Sequence, residues 1–381
     1  MQTLAESSKA LSTEELKQFG KQTGPLVTIL AAHTGSRLKK LAHEAERKLA
    51  ERGYDEGAAS ALMQPLLAQI AKIGEESGTA GEGVALFATP GETHVYRLPR
   101  AQEETVAIGE NFFVRPLIPF LNRDKEFYIL AVAQKHTRLL KCTESTSEEV
   151  PLPKDTPATL HQDMQTDQPD HNQENRVSPG PSQGTTGGVM FGTGTFKEDR
   201  DKYLAQWFKD LSRGVGHVLH DSSAPLVLCC VDYEQALYRV ENSYPHLIEE
   251  GITGAPDGFK GGEMHKRALE AMERHCDQKV EEALKRWNKQ NGDAAKAGVK
   301  EIVKASYEGR VLTLFVAESA QVMGSFNEAT FSAEGSKEST PFDEDLLNAA
   351  AMQTMLHGGH VFVVAQSRIP ENRPLAAIMR Y

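Results

Sequence analysis

Apolar and polar positions follow two periods along this chain, and the switches between them outline its elements. Residues 25–32, PLVTILAA, form an apolar, β-branched run that predicts a short strand. Over 41–52 and 59–74 the apolar positions recur every three or four residues, with charged side chains spaced on the opposite face, which predicts two amphipathic helices. VALFATPG and ETHVYRLP, on either side of Pro90 and Gly91, predict a hairpin. Further on, 127–133 and 137–142 alternate as two strands joined by a tight turn. KEDRDKYLAQWFKDLSRGVGHVLH returns to the helical period, and APLVLCCV is an apolar strand that leads into another helix. A long charged amphipathic helix then follows a Gly-rich lead-in, GFKGG. After it come helix 294–308, strand 311–317, helix 343–356 and strand 360–364.

Two stretches break the pattern. Residues 143–195 contain PLPKDTPATLHQDMQTDQPDHNQENRVSPGPSQGTTGG, almost without aliphatic side chains, and 327–341 is a second polar run. A loop of the first kind inside a compact unit is either a working arm or a linker. Strand, strand, arm, helix, strand and helix read as one α/β unit from which the arm projects. The expected organisation is α/β and α+β in three domains: an N-terminal α+β domain at 1–122, a middle domain at 123–242 carrying the arm at 143–195, and a C-terminal α/β domain at 243–381. The 327–341 run is expected as a surface insertion in the last of these.

Composition narrows the function classes. With 39% hydrophobic and 25% charged residues over 381 positions, the chain is an ordinary globular one. Its net charge of -11 argues against indiscriminate nucleic-acid binding, which needs a dense basic surface, but leaves room for a local patch. No apolar run approaches the roughly 20 residues of a membrane span, and MQTLAESSKALSTEELKQFG lacks a signal-peptide core. A soluble, cytoplasmic protein without a membrane partner is expected. Cys142, Cys229, Cys230 and Cys276 have no metal-site spacing, and buried free thiols are the expectation.

Candidate chemistry is sparse. Gln183-Gly184-Thr185-Thr186-Gly187-Gly188-Val189 lies at the end of the arm; such glycines let a backbone approach a substrate and aim N–H groups at an oxyanion, although a Gly/Thr linker has the same composition. His217, His220 and Asp221 close the helix after the arm and read either as a metal or proton-shuttle pair or as groups favoured by the helix dipole. His357-Gly358-Gly359-His360 reads as a helix C-cap. Lys202, Tyr203, Trp207, Phe208, Lys209 and Arg213 offer either a nucleotide-stacking surface or a core stripe. There is no P-loop, dinucleotide fingerprint, nucleophile elbow or zinc signature, and no cofactor or metal is expected.

Taken in order, these parts resemble the class I translation termination factors of archaea and eukaryotes and the ribosome-rescue protein Pelota. They resemble more closely their bacterial relatives, the bacterial archaeo-eukaryotic release factor families. The resemblance rests on PLVTILAAH, GVALFATPGETHVYRLP, FFVRPLIPFLNRDKEFYILAVAQKHTRLLKC and the closing HVFVVAQSRIPENRPLAAIMRY, and it covers most of the chain. It implies an RNase H-like middle domain, an L7Ae-like C-terminal α/β sandwich, and the ribosome and tRNA as partners, with a translational GTPase as a further one. In release factors a Gly-Gly-Gln tip enters the peptidyl transferase centre and admits water to the peptidyl-tRNA ester. The resemblance implies that Gly187 and Gly188 are the tip glycines, with Val189 where the family has glutamine and Gln183 as a substitute if the loop folds back. Hydrolysis of peptidyl-tRNA in ribosome rescue and a noncatalytic ribosome- or tRNA-binding adaptor are both implied. A hydrolase or nuclease working through His217, His220 and Asp221 is a third reading.

Overall fold

The computed structural model describes residues 25–32, 35–75, 82–98, 101–122, 126–160, 193–290, 295–327, 330, 332–335 and 343–381. These form a mixed α/β protein of several sheets and helices. They group into two compact units: Met1–Arg123 with Lys279–Tyr381, and Asp124–Gln278.

In the first unit, β1 (Leu26–Ala32), β2 (Gly83–Thr89), β3 (Glu92–Leu98) and β4 (Thr105–Gly109) make an antiparallel sheet of order β3-β2-β1-β4. The expected hairpin is β2–β3, turning at Gly91, whose φ of 94° needs glycine. Antiparallel strands with one wet face alternate in polarity, whereas β1 and β2 are buried almost throughout. They are covered on both sides. Val27, Ile29 and Ala31 face the helices α1 (Gly35–Glu51) and α2 (Glu56–Glu75), packing on Leu38, Leu41, Leu49, Leu66 and Ile70. Leu26, Leu30, Phe87, Tyr96 and Leu98 face the other way, into a core completed by residues from the C-terminal end of the chain.

That C-terminal part has its own sheet, of order β10-β16-β11-β15, from β10 (Ala295–Lys296), β11 (Val311–Ala317), β15 (His360–Val364) and β16 (Leu375–Met379). β11 runs parallel to β15 and antiparallel to β16. One face carries α6 (Val299–Tyr307) and α7 (Leu346–Leu356), through Ile302, Val303, Leu347 and Ala351. The opposite face receives Val280 and Leu284 from the last turns of α5 (Glu263–Lys289), against Phe315, Ala376 and Ile378.

Two expected helices start later than their periodicity suggests. At 343–356, Asp345 is the N-cap, its Oδ1 accepting from Leu347 N at 3.1 Å, so α7 begins at Leu346. At 294–308 the first residues are spent on β10, and Gly298 caps α6. The described parts of the expected 327–341 insertion belong to a small sheet, β13-β12-β14, made from β12 (Met323–Asn327), β13 (Ser332–Gly335) and β14 (Glu344–Asp345).

A polar joint sits between the N-terminal sheet and α7. The buried Asn348 side chain accepts from Val114 N and Arg115 N, at 2.9 and 3.1 Å, and donates to Phe112 O at 2.9 Å. Arg115 Nη2 lies 3.3 Å from Asp345 Oδ2, with both side chains buried, and Nη1 donates to Ala320 O. Glu344 accepts from Glu110 N and from Asn111, and Arg52 donates to Asp343 O at 3.2 Å. Burial pushes the Asp345 carboxyl above its ordinary range and the Arg115 guanidinium below its own, each against the pull of the partner's charge. Desolvation therefore opposes the charged form of each partner in this ion pair.

In the second unit the order is β7-β6-β5-β8-β9, from β5 (Phe127–Ala133), β6 (His136–Cys142), β7 (Ser147–Val150), β8 (Leu226–Cys230) and β9 (Ile252–Thr253). The first three pair antiparallel; β8 runs parallel to β5 and β9 parallel to β8. Helices α3 (Thr193–Val218) and α4 (Asp232–Glu241) cover one face through Trp207, Phe208, Leu211 and Tyr238. The first turns of α5 cover the other through Ala268, Ala271 and Met272, beside Ile248 and Ile252. Thus residues 243–278, placed by the sequence reading at the start of a third domain at 243–381, pack with the second unit, because the far face of this sheet is otherwise bare apolar surface.

Asn348→Leu removes the partner of three buried backbone groups, each worth about 1–3 kcal/mol when orphaned. Urea unfolding of the variant should show a loss of about 3 kcal/mol or more. A loss within a few tenths of a kcal/mol would show that those groups find other partners.

Candidate functional site: the root of the glycine-rich arm

The second unit holds the arm by its root. After β7, Val150 and Leu152 turn into the core beneath α3, and Leu160 joins them. Thr156 N donates to Pro153 O at 2.9 Å, closing a turn. Trp207 is fully buried on α3, and its Nε1, which needs an acceptor there, donates to Pro157 O at 2.9 Å. Leu160 N donates to Gln134 O at 3.0 Å, in the turn between β5 and β6. The Gln134 amide in turn donates to the buried Glu234 carboxylate at 2.7 Å, at the start of α4. Three elements therefore fix where the chain leaves the sheet.

Gly214 explains how the root lies so close to α3. A Cβ at that position would stand 2.1 Å from Thr156 Oγ1 and 2.4 Å from its Cγ2. Glycine inside a helix costs about 1 kcal/mol relative to alanine, and here it admits the crossing residue. The start of α3 is tied to α4 by Tyr233 Oη, which donates to Asp201.

Gly187, Gly188, Val189 and Gln183 lie outside the described residues. Trp207 and Phe208 of the aromatic and basic cluster are fully buried and stacked on one another at 5.0 Å, so they form core and offer no face to a nucleotide. His217 and His220 have ring centres 6.3 Å apart, and His220 Nε2 pairs with Asp221 Oδ2 at 2.8 Å on an open surface. Among the described residues no group of three His, Cys, Asp or Glu side chains converges as a metal site. Gly358 has φ 73° after α7 and caps it, with His357 Nδ1 2.9 Å from Gln353 O.

Cys142, Cys229 and Cys230 are buried thiols, and Cys229 and Cys230 point to opposite faces of the sheet. Burial pushes the Cys229 thiol up to about 12 and the Cys230 thiol higher still, so neither is a nucleophile at neutral pH. Among the described residues no helix is long and apolar enough to cross a membrane.

Gln134, Thr156 and Gly214 were not singled out from the sequence. A glycine in the interior of an amphipathic helix was the one available signal, since its cost calls for a packing reason.

Part of the chain matches a known family. Residues 126–310 match the bacterial archaeo-eukaryotic release factor family 3. The family resemblance read from the sequence therefore stands, over the second unit and the first elements that follow it. No curated protein matches the chain. Among solved structures, a model of ribosome-bound archaeal Pelota and ABCE1 is 13% identical, with 98% of this chain and 95% of that one covered and a TM-score of 0.39. Dom34 of S. cerevisiae, a translation termination-like factor in RNA quality control that interacts with Hbs1, is 14% identical over 79% and 80%, at 0.35. The archaeal translation termination factor aRF1 is 14% identical over 98% and 99%, at 0.25. These scores are too low to carry geometry or chemistry across to this chain.

Gly214→Ala places a methyl group against the Oγ1, Cγ2 and Cβ of Thr156, and a destabilisation of about 1–3 kcal/mol is expected. Thermal unfolding should register it, limited proteolysis should cut faster within 151–160, and adding Thr156→Gly should restore both. Unchanged cleavage in Gly214→Ala would mean that the crossing does not hold the root. In the native protein a thiol reagent should modify Cys276 well before the three buried cysteines, as mass spectrometry of the labelled protein will show.

Proposed function

We propose that this protein is a ribosome-associated, release-factor-like factor that presents the segment between its root at 151–160 and α3 to peptidyl-tRNA on stalled or terminated ribosomes. The observation that carries this reading is the match over 126–310, which takes in the arm together with the sheet and helix that root it. Support comes also from the frame itself: an antiparallel three-strand start followed by two parallel additions, in the order 3-2-1-4-5, fits an RNase H-like domain. The C-terminal sheet with helices on both faces fits an L7Ae-like sandwich. In functional terms the chain is read as three parts, 1–122, 123–242 and 243–381, of which the third packs its residues 243–278 on the second and shares a core with the first from 279 onward. Its partners in this proposal are the ribosome and tRNA, with a translational GTPase as a third, and its place is the cytoplasm.

At the tip, Gly187 and Gly188 are the residues whose backbone can approach the ester closely and aim N–H groups at the oxyanion. The ester is already activated and the ribosome supplies the positioning, so orienting a water is the chemistry left for the tip. Val189 lacks the side-chain amide that a Gly-Gly-Gln tip would bring, and Gln183 is the nearest amide that could replace it. Val189 also favours a second reading, in which the same frame binds the ribosome or tRNA without hydrolysing anything.

Peptide release from ribosomes loaded with peptidyl-tRNA separates the two. The first reading expects release above the spontaneous rate, reduced by about tenfold or more in Gly187→Ala/Gly188→Ala. Binding without release, by co-sedimentation through sucrose, selects the second. Absence of co-sedimentation in every ribosomal state, with and without peptidyl-tRNA, removes both.

A further inference from the structure

A pocket of about 420 Å³ opens in the first unit, between the last turns of α5, β11 and the edge strand β15. It falls within the range of small-ligand sites. Its back is aromatic. On β15, His360 and Phe362 share one strand face, and Phe362 lies in register with the fully buried Phe315 of β11. The two rings stack with centroids 5.8 Å apart and planes 22° from parallel. Phe362 is held from behind by Phe315, and itself lines the pocket, part-exposed. Such a ring is a stacking platform fixed before any ligand arrives.

The rim is charged. Lys279, Glu282 and Arg286 come from α5, and the small Ala283 between them leaves the space that the pocket occupies. Lys279 and Arg286 are two turns apart on one helix face, about 10 Å along its axis. His360 and the Thr313 hydroxyl close the end of the sheet below them. In a chain of net charge -11, two long cations and an imidazole around one aromatic platform are a local reversal of sign. Glu282, the one carboxylate in the lining, is an acceptor only and has no use for an inorganic anion. It suits vicinal hydroxyls, as an acidic side chain does on a ribose. Purely apolar ligands would leave the rim unused, and a bare anion would leave Phe362 and Glu282 unused.

We propose that this pocket binds a ribonucleotide, with the base stacked on Phe362, the phosphate between Lys279 and Arg286, and the ribose hydroxyls at Glu282. The nucleotide is either free or displayed on an RNA strand, and both sources present the same chemistry. The site uses no residue of the arm, so this inference and the release-factor reading stand or fall separately.

Calorimetric titration of the full chain tests it, with adenosine monophosphate, its 2′-deoxy form, orthophosphate and a short single-stranded oligoribonucleotide as probes. Saturable binding of the monophosphate or of the strand is expected, weaker for the deoxy form and for orthophosphate. Binding by the strand alone places the source in RNA; binding by the monophosphate as tightly as by the strand places it in free nucleotide. Arg286→Glu, on the surface, and the conservative Phe362→Leu should each weaken binding by roughly tenfold or more, with melting temperature recorded to confirm folding. Glu282→Gln should remove the preference for the ribose form. The proposal is overturned if no probe binds at ~1 mM, if binding survives both Arg286→Glu and Phe362→Leu, or if orthophosphate binds as well as the nucleotides.

Discussion

The first unit depends on a sheet that cannot stay dry by itself. β1 and β2 are apolar on both faces, and α1 and α2 cover only one of them. The other face is covered by α7 and its neighbours, from the far end of the chain. Hydrophobic burial decides that the two ends meet but says little about their register, because apolar contact is not directional. Register comes from the Asn348 amide, which joins three backbone groups lying more than 230 positions away in sequence, Val114 N being 234 positions off. An orphaned amide or carbonyl in that interior is costly, so a shifted docking has no satisfactory alternative. Arg115 and Asp345 add a second, charged tie between the same elements, at 3.3 Å.

The route of the chain has consequences for how this unit forms. Its first half must wait while the whole second unit is made, and a core built from such distant segments carries a large loop-closure cost before any contact offsets it. The second unit is different. It is one continuous stretch of chain, Asp124–Gln278.

At 151–160 a rigid frame holds the start of a segment whose composition is polar. A composition almost free of aliphatic residues cannot bury enough surface to hold a direction. The segment's described root is held by a tryptophan N–H, a backbone bond to the β5–β6 turn and a glycine that lets Thr156 cross α3. These contacts sit on strands and helices, which locate a functional segment better than another loop would.

Much of this was legible in the residues. The alternation at 127–133 and 137–142, the helical period over 197–220 and the apolar run ending in Cys229 and Cys230 gave the frame of the second unit, because local periodicity reports which faces are buried. The polar composition of 143–195 hid β7 at 147–150, the packed root at 151–160 and the start of α3 at Thr193, while the order of parts carried the family resemblance. Short pairings such as β7, β9 and β10 left no periodic trace, since two to four residues are too few to show a period. Nor does any local pattern say that Asn348 belongs to the backbone of 112–115, that Thr156 needs Gly214 bare, or that Lys279, Arg286 and Phe362 line one pocket. The sequence by itself determined which segments are helix, strand or arm, because those choices are made within a few residues. Only the tertiary structure decided which faces meet, because partners for a buried face or a buried polar group are chosen by space and not by position along the chain.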